Sequence, residues 1–207
     1  VQDNQILSHQ FIANDATFEN GVTISQTNNF PWDGDIHYTV TNPNQQDFKL
    51  GLRLPGWSQK FEVAVNGDAA TATVEDGFIY FDIDAAETSI DLVLDMSTKF
   101  MRSSNRVSAD YGKVAVQRGP VVYAAEEADN QVPLWNQKVD TTATPTYSFD
   151  ETLLNGVGTI TVAAKAPELE STDAPLYTTL DAAPTEKDVQ LKLVPYYAWA
   201  NRLDGQM

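Results

Sequence analysis

Apolar and polar residues alternate one by one along most of this chain. That period of two belongs to a β-strand with one buried and one wet face. Val22 and Ile24 alternate with Thr23 and Ser25, and Ile36, Tyr38 and Val40 with His37, Thr39 and Thr41. Phe48, Leu50, Leu52 and Leu54 follow the same rule, as do Phe61, Val63 and Val65, and then Ile90, Leu92, Leu94 and Met96. Asn66-Gly67 and Asp76-Gly77 fall between such runs and predict tight hairpins. Asn42-Pro43-Asn44 punctuates another pair of strands. Helical periodicity is confined to two weak stretches, Ala85–Thr88 and Ala124–Asp129.

Seven or eight strands precede residue 104, and Lys99–Asn105 reads as a polar linker. A second series then runs through Val114 and Val116, Val121–Tyr123, Val157–Ala164 and Val189–Val194. Between its strands, residues 130–150 carry Pro133, Pro145 and many threonines, and read as a long surface excursion. With 207 residues the chain can hold two small cores. The prediction is an all-β protein of two tandem antiparallel β-sandwiches, jelly-roll-like, over residues 1–104 and 105–207.

Composition narrows the partners. Thirteen Lys and Arg stand against 29 Asp and Glu, a formal charge of −16. Such a surface repels phosphate backbones and anionic lipid, so neither nucleic acid nor membrane is expected as a partner. Without cysteine the chain has no disulfide, thiolate metal site or Cys nucleophile. Residues 1–5 have neither a basic start nor an apolar run, and position 1 is not Met, so the sequence reads as part of a longer chain. It does not fix a compartment, although the cytoplasm is favoured.

Candidate chemistry is sparse. Asp33-Gly34-Asp35 could offer two carboxylates to a hard cation, but the remaining ligands of a calcium loop are missing, and a tight acidic turn is the simpler reading. Asp82, Asp84, Asp91 and Asp95 resemble the paired carboxylates of glycosidases, yet they alternate with Ile83, Ile90, Leu92 and Leu94 and read as a solvated face. Trp32, Trp57, Trp135 and Trp199 could stack on sugar rings or cap the cores. There is no G-x-S-x-G elbow, Walker loop or dinucleotide fingerprint.

Five stretches in order carry a family likeness. They are Phe30-Pro31-Trp32-Asp33-Gly34-Asp35 after Gln26-Thr27; Leu50–Trp57 with Val65-Asn66-Gly67; Gly112–Tyr123; Asp129-Asn130; and Leu193–Arg202, with Met207 beyond. Together they resemble the C-terminal region of glycoside hydrolase family 127, the β-L-arabinofuranosidases. The resemblance implies a parent enzyme with an N-terminal (α/α)6 barrel, where zinc held by Cys and Glu activates a Cys nucleophile, followed by two β-sandwiches. None of those catalytic residues has a counterpart here, so the expectation is no catalytic residue, metal or cofactor in this chain. Where family members often carry Cys after the R-G-P-x-V-Y stretch, Ala124-Ala125 follow Tyr123.

The expected role is that of a non-catalytic support for the barrel, with a homodimer contact as a further expectation. The alternative is a carbohydrate-binding module for arabinose-containing glycans. The residues expected at a glycan or barrel interface are Trp32, Asp33, Asp35, Trp57, Tyr197, Trp199 and Arg202.

Overall fold

The computed structural model describes residues 4–130, 133–182, 184–202 and 205. Met207, the last residue of the family likeness, lies outside them. The chain divides into two compact units, Val1–Ser97 and Thr98–Met207.

The first unit has ten strands: β1 (Gln5–Ser8), β2 (Asn14–Thr17), β3 (Thr23–Asn28), β4 (Asp35–Thr41), β5 (Phe48–Arg53), β6 (Phe61–Val65), β7 (Asp68–Ala70), β8 (Val74–Glu75), β9 (Phe78–Ile83) and β10 (Glu87–Leu94). They form a four-stranded sheet, β1-β5-β9-β8, and a six-stranded sheet, β2-β3-β4-β10-β6-β7. The alternation read from sequence sets the facing. Ile36, Tyr38 and Val40 on β4 and Ile90 and Leu92 on β10 are fully or almost fully buried, as are Leu50, Leu52 and Ile79 from the opposite sheet. Each such aliphatic side chain contributes roughly 1.5–3 kcal/mol by leaving water, so this interleaved layer dominates the stability of the unit. Both predicted hairpins form. Asn66-Gly67 joins β6 to β7 and Asp76-Gly77 joins β8 to β9, each with two positive φ angles as a type I′ turn requires.

One pairing departs from the expected antiparallel rule, because β1 runs parallel to β5. Asn42, fully buried after β4, is satisfied throughout. Its Nδ2 donates to Gln46 O at 2.9 Å, and its Oδ1 accepts from Gln46 N at 3.1 Å, which shapes the turn into β5.

The second unit has β11 (Thr98–Met101), β12 (Ala115–Arg118), β13 (Val121–Ala125), β14 (Lys138–Val139), β15 (Thr146–Asp150), β16 (Val157–Pro167) and β17 (Glu186–Pro195). They join one antiparallel sheet, β11-β12-β13-β17-β16-β14, with β15 also paired to β16. Four strand steps separate β12 from β15, about 19 Å in a flat sheet. Yet Arg118 of β12 lies 3.7 Å above the ring centroid of Tyr147 of β15. The sheet therefore curls back on itself and encloses its own core, built on Tyr123, Ile160, Val162, Leu191 and Leu193. Each unit is thus β-sandwich-like.

Three local expectations are corrected. Lys99–Met101 belong to β11 rather than to a linker, because the strand pairs with β12, and the units part at residue 97/98 instead of 104/105. Residues 130–150 are no bare excursion, since β14 and β15 both add to β16. The two weak helical stretches are not α-helices: Glu87 opens β10, and Ala124-Ala125 end β13 before a single 3-10 turn at Glu127–Asp129.

Candidate functional site

In the first unit, two of the sequence motifs converge. Phe30 stacks on Trp57 with centroids 6.3 Å apart and planes 23° apart, and also meets Phe11 edge-on at 5.3 Å. Phe11 is buried, and Trp57 and Phe30 pack against the core. Trp57 therefore caps the core, with part of its surface still open. Trp32 sits half-buried in a turn whose N–H groups, those of Trp32 and Asp33, both donate to Asn29 O, at 2.9 and 3.4 Å.

The intervening glycine explains Asp33-Gly34-Asp35. A Cβ on Gly34 would lie 2.3 Å from the carbonyl oxygen of Leu94, whose own N–H donates to Gly34 O at 3.0 Å. Only a glycine lets β4 begin this close to the end of β10. Asp33 and Asp35 flank that contact, and among the described residues no three His, Asp or Glu side chains gather as a metal would require. The carboxylate series is dispersed. Asp82 on one sheet pairs with Lys49 at 2.7 Å, and Asp91 on the other pairs with His37 Nδ1 at 2.7 Å.

The second unit builds a tighter constellation. After β17 the chain makes a 3-10 turn, Tyr196–Ala198, closed by Trp199 N donating to Tyr196 O at 3.1 Å. The turn sets the Tyr196 and Trp199 rings almost parallel, 5° apart with centroids 6.2 Å apart, and both remain open to solvent. Tyr197 is 62% exposed, and Trp135, on its own 3-10 turn, 77%.

Arg202 fastens this segment. Its guanidinium grips Asp129 with both ends, Nη1 to Oδ1 at 2.9 Å and Nη2 to Oδ2 at 2.5 Å, and Nη2 also donates to Glu126. Glu126 accepts in turn from Ala200 N at 2.7 Å. The hydrogen bonds to Asp129, with those to Glu126 behind them, hold the guanidinium charged far above even its ordinary range, against the opposing effect of burial. Asn130 completes the clasp. Its side chain donates to Glu126 O and Lys192 O and accepts from Lys192 N, tying the loop to β17.

Arg202 is thus a structural clasp of the second unit. The sequence had shown Asp129-Asn130 and Asn201-Arg202 as separate motifs. Glu126 went unnoticed, although a carboxylate three residues before that pair and facing the same arginine is the signal that could have found it. Glycosidases need two carboxylates free to act across a sugar. Here Glu126 is buried, Asp129 is largely covered, and both are committed to Arg202.

The Arg-Gly-Pro stretch is structural as well. Gly119 turns β12 into β13 at positive φ, and Arg118 lies on Tyr147 as a cation–π contact. Burial, with the neighbouring Tyr147 adding to it, pushes the Tyr123 hydroxyl up beyond the ordinary range, and Arg118 works against both. Burial also raises Tyr197.

Two family profiles match this chain, one on each unit. Residues 5–96 match the description "Beta-L-arabinofuranosidase, GH127 middle domain", and residues 98–207 match "Glycoside hydrolase family 127 C-terminal domain". A non-reducing end β-L-arabinofuranosidase of Bifidobacterium longum subsp. longum is 46% identical over 210 residues, covering 98% of this chain and 32% of that protein. The crystal structure of a GH127 β-L-arabinofuranosidase from Geobacillus stearothermophilus T6 superposes with a TM-score of 0.92 at 31% identity, covering 99% of this chain and 33% of that one. A GH127 β-arabinofuranosidase gives 0.86 at 29%, over 99% and 34%. The chain spans about a third of the length of these relatives.

Proposed function

Since this chain belongs to glycoside hydrolase family 127, as its middle and C-terminal domains, we propose that it is the non-catalytic support of a β-L-arabinofuranosidase whose chemistry resides in a separate domain of the same protein. The observation that carries this reading is the end-to-end match of both units to one third of such enzymes. The zinc–thiolate chemistry implied for the barrel would need cysteine, and this chain has none.

The surface of the second unit supports a bracing role. Tyr111, Trp135, Leu169, Leu176 and Tyr177 are each at least 75% exposed. The bracing reading expects the catalytic domain to cover those of them that form a continuous apolar patch. Glycan binding has one observation in its favour, the open parallel pair of Tyr196 and Trp199, on which a sugar ring could stack.

The test is hydrolysis of an aryl β-L-arabinofuranoside by the longer protein and by this chain alone. The reading expects turnover by the first and none by the second. Turnover by this chain alone would overturn it.

A further inference from the structure

A cleft of about 320 Å³ opens along the edge of the first sandwich, between β1 of one sheet and β2 and β3 of the other. That volume is at the small end of ligand sites. Its polar lining is Ser8, His9, Gln10, Asn14, Gln26 and Tyr38, and the remaining walls are apolar. Among the described residues no carboxylate, lysine or arginine faces it, and His9 and Tyr38 are its titratable side chains. An uncharged molecule with polar groups on one side and C–H surface on the other fits both walls.

Hydrogen-bond counting at the inner end sharpens this. Tyr38 is fully buried and Gln26 is 4% exposed. The Gln26 amide oxygen accepts from Ile12 N at 2.9 Å and Asn28 Nδ2 at 3.0 Å, so its nitrogen faces Tyr38 Oη at 3.0 Å, Ser8 Oγ at 3.3 Å and Gln10 O at 3.2 Å. The amide nitrogen can only donate, so it takes no hydrogen from either hydroxyl. Ser8 Oγ and Tyr38 Oη are 3.0 Å apart, and only one of them can donate to the other. The second hydroxyl hydrogen has no acceptor among the described residues. Ser8 is half-buried at the cleft, so this hydrogen points to an acceptor oxygen from outside the fold, a water or a ligand that displaces it.

We propose that this edge cleft is a binding site for one neutral sugar ring of pentose size, with a sugar oxygen accepting the spare Ser8–Tyr38 hydrogen. The ring's C–H face lies on the apolar wall. The site lies wholly in the first unit, apart from the aromatic pair at Tyr196 and Trp199 in the second.

Removing one hydroxyl leaves the other with a spare hydrogen, so the two single variants and the double variant behave differently. The experiment is an NMR titration of the 207-residue protein with L-arabinose, and separately with D-xylose, to tens of millimolar. Saturable shifts are expected at the Gln26 side-chain amide and the backbone amides of Ser8 and Asn14. Ser8→Ala and Tyr38→Phe should each change affinity less than about threefold, and the double variant should weaken it about tenfold or more. Ala16→Leu, which fills the cleft from β2, should abolish binding while leaving the shifts of the second unit in place. No saturable shift at the cleft with either pentose in the unmodified protein would overturn the proposal, as would shifts confined to the Tyr196–Trp199 pair. A double variant that binds as well as the singles would overturn the role given to the spare hydrogen.

Discussion

Arg202 holds two carboxylates, one buried and one largely covered, from a loop more than seventy residues away in sequence. Removing one member of such a group strands the others without a partner, which costs on the order of 3–5 kcal/mol. Arg202→Ala should lower the melting temperature of the second unit accordingly, whereas Arg202→Lys, which keeps the charge and loses the fork, should cost less. An unchanged melting temperature in Arg202→Ala would remove the clasp from this description. Tyr38 offers a test by pH. Burial pushes its hydroxyl up to about 12, partly offset by the Ser8 hydrogen bond. The folded state therefore keeps a proton that the unfolded chain gives up near pH ~10. Stability should fall as pH rises from about 10 through about 12. Tyrosinate absorbance should show a late-ionising fraction that shrinks in Tyr38→Phe. The sequence marked Arg202 and Tyr38 as parts of motifs or strands, but neither role was legible there. Both depend on partners that only the folded chain brings together, Glu126 with Asp129 for one and Ser8 with Gln26 for the other.

At the scale of the elements, the strands that bury one face were readable because burial writes alternation into the sequence. β4 and β10 are the clear cases, with every second residue in the core. β15 was missed for another reason. Thr146–Asp150 does alternate, with Tyr147 and Phe149 set between Thr146, Ser148 and Asp150, but none of its residues is fully buried and it lies within the Pro- and Thr-rich stretch read as an excursion. β11 hid behind Lys99 and the exposed Met101 in the same way. The parallel pairing of β1 with β5 is set by how the first strand enters the unit, which local pattern does not encode. Asp33-Gly34-Asp35 read as a tight acidic turn, and the close approach of Gly34 to Leu94 accounts for its glycine. Gly34→Ala would push a methyl group into the Leu94 carbonyl, and should cost about 1–3 kcal/mol in a denaturant melt. Asp33→Asn and Asp35→Asn should be nearly silent in the same measurement.

At the scale of the whole molecule, each unit has its own core and no strand pairing crosses between them among the described residues. Residues 1–97 expressed alone should therefore fold cooperatively and give a dispersed amide spectrum, since about a hundred residues can bury a sufficient core. A collapsed, poorly dispersed spectrum would mean that the first core depends on the second unit. Composition alone removed cysteine-thiolate chemistry from this chain, because it has no cysteine. The bare aromatic and aliphatic side chains of the second unit were not readable, because exposure belongs to the fold.

The central proposal is that this chain braces the catalytic domain, and it is tested by deleting this chain from the longer protein and measuring the melting temperature and the arabinofuranoside turnover of what remains. If the two β units brace the rest, the remainder melts several degrees lower and loses most of its activity. A remainder with unchanged melting temperature and unchanged kcat would contradict the bracing role outright.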